Sequence, residues 1–167
     1  MPATIVLNEW NGGIGSPVKT SKAASIILPR ANDSAVVDSL NPVPIPKAGV
    51  SRSYEKWLRF RIGATGPAGT ITNLKFYTGG VNLLGSGIML YAGAEADYDQ
   101  PTVADSTYAT VDALTYVVGG ALSLGAGPFS SINTDIGEFC VLQVDVSPIA
   151  AEGLSGTMVP TFSYDET

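Results

Sequence analysis

From Ser51 onward, apolar and polar residues alternate along the chain with a period of two. In "SRSYEKWLRFRI" (51–62), Tyr54, Leu58, Phe60 and Ile62 fall on one face, and Glu55, Trp57, Arg59 and Arg61 on the other. Side chains alternate across a strand, so this pattern predicts a β-strand with its first face in the core. "TITNLKFYTGG" predicts a return strand with Leu74 and Phe76 together, closed by a turn at Gly79–Gly80. "GIMLYAG" predicts a short strand. "EFCVLQVDVSP" predicts a strand with Cys140, Leu142, Val144 and Val146 inward. "TMVPTFSYDE" predicts a last strand carrying Phe162 and Tyr164 on one face. Pro160 makes it an edge strand or sets a bulge there, because proline cannot donate to a ladder. Residues 107–129 fit either a short helix or two strands.

Residues 1–50 are patterned more weakly. "ATIVLNEW" and "AASIILPR" are short apolar pieces separated by the loop "NGGIGSPVK". Pro42, Pro44 and Pro46 then alternate with Val43 and Ile45. Each proline fixes φ and removes an N–H, which keeps the segment extended and out of a central strand. A solvent-exposed linker and an arm lying along a neighbour both fit. We expect the arm, with residues 1–50 outside the sandwich and 51–167 forming it. The competing possibility is that "ATIVL" and "SIIL" are strands of the same sandwich. Short strands, Gly/Pro/Asn turns and the lack of a long amphipathic helix give an all-β fold, a β-sandwich that is jelly-roll-like, with an extended N-terminal arm.

The chain of 167 residues is long enough for one domain with a real core. Only 14% of residues are charged, against about 25% in an ordinary soluble domain, which suggests a surface partly covered by neighbours. All nine Lys and Arg lie at or before Lys75, with four acids; eleven acids and no base follow. Either strands of the two halves interleave and the charges mix, or a basic end meets the acidic end of a neighbour. The acidic total and few basic residues argue against nucleic-acid binding. "MPATIVLNEW" has no basic leader region, so no signal peptide is expected. No stretch reaches the roughly 20 apolar residues of a membrane span.

Candidate chemistry is sparse. The sequence has no histidine, which removes the usual general base, metal ligand and pH switch. With one cysteine, Cys140, neither a disulfide framework nor a cysteine zinc site is possible within the chain. "GGIG" at 12–15 lacks the third glycine of a dinucleotide fingerprint, and no P-loop occurs. Glu95, Asp97 and Asp99 alternate in an acidic loop, which reads as a solvated loop more readily than a Ca²⁺ site. We therefore expect no catalytic residues, cofactor or metal. Trp57 stands out, because it lies out of phase with Leu58, Phe60 and Ile62. Loops could bury it as a second layer. Alternatively it anchors an interface with Arg59 and Arg61, since Trp and Arg are enriched at binding hot spots. We expect the interface, with Val43 and Ile45 of the proline segment also contacting a neighbour.

"SRSYEKWLRFRI", "ITNLKFYTGG", "IMLYAGAEADYDQPT", "EFCVLQVDVS" and "TFSYDET", in that order, resemble small virion structural proteins of tailed bacteriophages. The resemblance covers roughly residues 50–167 and rests on strand-and-turn phrases. It implies a β-sandwich component of a phage particle, with no catalytic residues to carry over. Among the locations it allows, capsid decoration (cement) comes first; a neck or tail protein, or a carbohydrate-binding tail module, are alternatives. It implies the major capsid protein or other virion proteins as partners, a homo-oligomer with a trimer favoured, and a place in the virion.

Overall fold

A computed structural model describes residues 3–22, 43–152 and 158–167. Among these residues, ten strands form two antiparallel sheets. They are β1 (Ile5–Asn11), β2 (Val18–Lys22), β3 (Ser51–Arg52), β4 (Lys56–Ile62), β5 (Ile71–Tyr77), β6 (Ile88–Glu95), β7 (Val111–Asp112), β8 (Leu122–Gly125), β9 (Thr134–Val146) and β10 (Thr161–Glu166). The larger sheet runs β2-β1-β4-β9-β6-β7, with β3 also paired to β9; the smaller runs β10-β5-β8. Among the described residues the sheets hold seven and three strands, in a sandwich-like all-β arrangement. The ambiguous stretch 107–129 resolves into β7, two 3-10 turns and β8.

The period-two faces decide the core. Leu58, Phe60 and Ile62 of β4 and Cys140, Leu142, Val144 and Val146 of β9 meet Ile71, Leu74 and Phe76 of β5 and Leu124 of β8. Cys140 is fully buried, and burial pushes its thiol well above the ordinary range, so it behaves as a small apolar residue. β10 lies at the edge of the smaller sheet, one of the two placements Pro160 allows. Its Phe162 packs edge-on to Phe60 at 5.9 Å.

One irregularity shapes both faces. Leu58 pairs with Cys140, but Phe60 pairs with Ile136, so Gly137, Glu138 and Phe139 all stand opposite Arg59. Gly137 has φ of 70°. A Cβ there would lie 2.4 Å from the Leu124 carbonyl oxygen and 2.5 Å from Leu74 Cδ1. Only glycine lets β9 come this close to the smaller sheet.

The first third corrects the sequence expectation. β1 pairs with β4 from Ile5↔Ile62 to Trp10↔Trp57, and β2 pairs with β1 as the sheet edge. Ile5 and Leu7 pack against the main core. Residues 5–22 are therefore strands of the sandwich and not an arm. The alternation of Ile5 and Leu7 in "TIVLNEW" is short, but a paired neighbour supplies what its propensity lacks. Residues 23–42, including Pro29 and Pro42, lie outside the described residues.

Candidate interaction surface

The outer face of the larger sheet carries a second buried layer. Trp57 is fully buried there with Phe139, Val141 and Ala109, and Trp10, Tyr91, Tyr98 and Tyr108 pack around them. Trp57 meets Tyr108 at 5.0 Å, Tyr98 at 5.5 Å and Phe139 at 5.6 Å between ring centroids, all near edge-on. These offset geometries suit aromatic quadrupoles. Residues 96–110, which follow β6, supply Tyr98, Tyr108 and Ala109 and form a cover loop over the strand face.

Buried polar groups hold that loop down. Glu55 accepts hydrogen bonds from Ser106 Oγ at 2.5 Å, Trp57 Nε1 at 3.2 Å and Thr102 N at 3.3 Å. Gln143 Nε2 donates to Ser53 O and Ala104 O, and its Oε1 accepts from Ser106 N. Tyr98 donates to Gly12 O and Tyr108 to Asp99. Gly93 lets the loop backbone sit on β6: a Cβ there would lie 2.0 Å from Tyr108 O. The expectation that Trp57 anchors an interface is thus corrected. Its off-phase position marks the second buried layer, because the chain's own loop covers it.

The other expected contact residues separate. Arg59 is half-buried, its guanidinium 4.7 Å from the Phe139 ring centroid. Burial lowers its pKa against the opposing pull of Asp135, Asp97 and Glu138. Arg61, also half-exposed, pairs with Asp135 at 3.6 Å. Val43 packs against the main core, on the opposite side of the larger sheet from Trp57. Ile45 is 37% exposed. The charges of the two chain halves mix in space: Lys19 and Arg61 meet Asp135, and Arg52 meets Asp105 and Asp145. Strand interleaving explains the sequence asymmetry for these residues.

A different surface carries the exposed apolar residues. At one end of the sandwich β6 begins, β9 ends, β5 ends and β10 begins, as the pairs Ile88↔Val146 and Thr161↔Tyr77 show. The loops leaving this end expose Val81, Leu83, Val117, Val118, Ile149 and Val159, with Val118 at 75% and Ile149 at 76%. The loops touch one another. Val117 packs at Gly80, and Ile149 and Ala150 pack at Gly87. Thr78 ties the 3-10 turns to β5 by donating to Ala113 O. Across 78–87, 113–121, 147–152 and 158–160 the single charged residue is Glu152. Exposed apolar side chains with a single charge among them make this end the candidate contact surface. It is not legible in the sequence, since each loop contributes only one or two such side chains and the loops come together only in the tertiary fold.

Glu95, Asp97 and Asp99 form no cluster suited to a metal among the described residues. Asp99 accepts from Tyr108 and from Gln100 N, and Glu95 from Ala96 N. A cavity of about 30 Å³ lined by Lys56, Leu84, Leu90, Leu142, Val144 and Met158 has room for a water or two. No described helix is long and apolar enough to cross a membrane. No family model, curated protein or solved structure matches this chain.

Proposed function

We propose that the chain is a structural protein of a phage particle, a capsid decoration protein that adds to and stabilises the capsid lattice. The observation that carries this reading is the apolar loop end, with the single charge of Glu152, that exposes Val81, Leu83, Val117, Val118, Ile149 and Val159. Such a patch gains free energy by being covered, at about 25 cal/mol per Å² of apolar surface removed from water. The rest of the molecule is suited to presenting it. Two buried layers, one on each face of β4 and β9, make a stiff platform behind the loops. The order of strand-and-turn phrases resembling small virion structural proteins supports the same reading. The partners it implies are the major capsid protein and further copies of the chain, with a trimer favoured. Counting copies in purified particles by quantitative mass spectrometry tests it. Hundreds per particle support decoration. Six or twelve would move the protein to the neck or tail, and none would overturn the reading.

A further inference from the structure

On the inner face of the larger sheet, three polar side chains are buried where apolar ones would serve. Glu9 is 1% exposed, Lys56 2% and Asn11 6%. Lys56 Nζ lies 3.0 Å from Glu9 Oε1. The same oxygen accepts from Asn11 Nδ2 at 3.2 Å. One carboxylate oxygen therefore holds an amine and a carboxamide side by side. The backbone enforces this meeting. Trp10 pairs with Trp57, and the next step along that register sets Asn11 across from Lys56, at the roughly 5 Å Cβ spacing of cross-strand neighbours. Glu9, two residues before Asn11, shares its face. A buried ion pair is seldom more stabilising than apolar residues of equal volume, so stability alone does not account for the trio.

We propose that Lys56 and Asn11 become joined by an intramolecular isopeptide bond, with Glu9 as the proton relay. Burial works against both charged forms, while Lys56 and Lys22 together hold the Glu9 carboxyl below its ordinary value, so passing a proton from the Lys56 ammonium to Glu9 is an uphill first step drawn on by the attack that follows. The neutral Nζ attacks Asn11 Cγ, and the carbonyl electron pair moves to oxygen. Glu9 carries its own proton and one of the two left on Nζ to the carboxamide nitrogen in turn, and the last stays as the amide N–H. The oxygen pair returns, the Cγ–Nδ2 bond breaks, and nitrogen leaves as ammonium. Ammonium carries away what the amine and carboxamide lose, so the step needs no further reactant. Held alignment of nucleophile, electrophile and base is what such a slow displacement requires. The bond would tie β1 to β4 and remove chain entropy from the unfolded state. This proposal does not depend on the role in a particle.

The test is the intact mass of the purified full chain, reckoned with and without Met1. The expected mass is lighter than the sequence mass by one ammonia. Trypsin should release a branched peptide joining residues 1–19 to 53–59, uncut at Lys56. Glu9→Gln, Lys56→Arg and Asn11→Ala should each restore the full sequence mass. The wild-type measurement decides even if a variant fails to fold. A wild-type chain at full sequence mass after days at neutral pH overturns the proposal, as does a branch at Lys22, whose Nζ lies 2.5 Å from the other oxygen of Glu9.

Discussion

Trp57 and Glu55 face the same side of one strand region, and the indole Nε1 donates to the buried Glu55 carboxylate at 3.2 Å. The tryptophan is the floor of the outer layer. The carboxylate beside it is the latch for the loop that covers that floor, through Ser106 Oγ and Thr102 N. The two roles are coupled, because the loop that excludes water from the indole is held by the indole's own hydrogen-bond partner.

Trp57→Ala should therefore act as a core substitution. It removes a fully buried ring and one donor to a buried carboxylate. A loss of about 3–5 kcal/mol is expected. Urea unfolding of the isolated chain measures it. A change within 0.5 kcal/mol, about the limit for surface sites, would put Trp57 outside the structural core.

Ser106→Ala should loosen the cover loop more than the sandwich. Ser106 Oγ donates to Glu55 and accepts from Tyr108 N and Ala109 N. Losing it leaves buried partners unsatisfied at a cost of about 1–3 kcal/mol. Hydrogen exchange at the Ala109 amide should accelerate at least tenfold, while amides in β9 such as Val144 stay protected. Equal acceleration at both would show that the loop opens only with global unfolding.

Gly93→Ala should lift the same loop by a steric route. The added Cβ would stand 2.0 Å from the Tyr108 carbonyl oxygen, which is backbone and cannot rotate away. Overpacking of this kind costs about 1–3 kcal/mol. Tryptophan emission should shift to the red as Tyr108 withdraws from Trp57. Unchanged emission would mean the loop accommodates the methyl in place.

Much of this architecture was legible from the period-two runs. Leu58, Phe60, Ile62, Leu74, Phe76 and the inward positions of β9 all reach the core, because alternation fixes a strand's faces once one is buried. Trp57 misled for a physical reason: alternation separates faces but does not say whether the second is wet. That depends on a loop some 50 residues away and on the fit of Ser106 to Glu55. β1 was missed as a sheet strand because its register partner, β4, lies beyond the proline segment. The apolar loop end was invisible for a similar reason, since the loops that carry Val81, Val118 and Ile149 come to one end of the sandwich only after both sheets form.

The Arg52 cluster predicts a pH dependence. Burial pushes the Asp145 carboxyl above its ordinary value; Arg52 pulls it down and Asp105 pushes it further up. A folded pKa above the unfolded one means Asp145 contributes stability below the unfolded value near 3.8 that is lost as pH rises through the folded value. Asp145→Asn cannot titrate. The stability of this variant relative to wild type should therefore increase between about pH 3 and pH 7. Urea midpoints across that range check the sign, and a relative stability that falls with pH would refute it.

The apolar loop end gives the prediction closest to function. Val118 and Ile149 sit on separate loops, three-quarters exposed, and neither belongs to a buried cluster. A charge at either position meets water in the isolated chain. Val118→Asp and Ile149→Asp should thus leave folding stability within about 0.5 kcal/mol of wild type. In an assembled particle the same charge would be desolvated against a neighbour, with no cation in these loops to pair with it. Burying it unpaired costs several kcal/mol. Incorporation into particles, or self-association measured by sedimentation, should fall by at least a hundredfold in apparent affinity, since about 1.4 kcal/mol is tenfold. Lys75→Asp, a change at an exposed position on β5 away from these loops, serves as the control for added charge. If all three variants assemble like wild type, the loop end is not the contact surface, and the face that binds neighbours must be sought elsewhere on the sandwich.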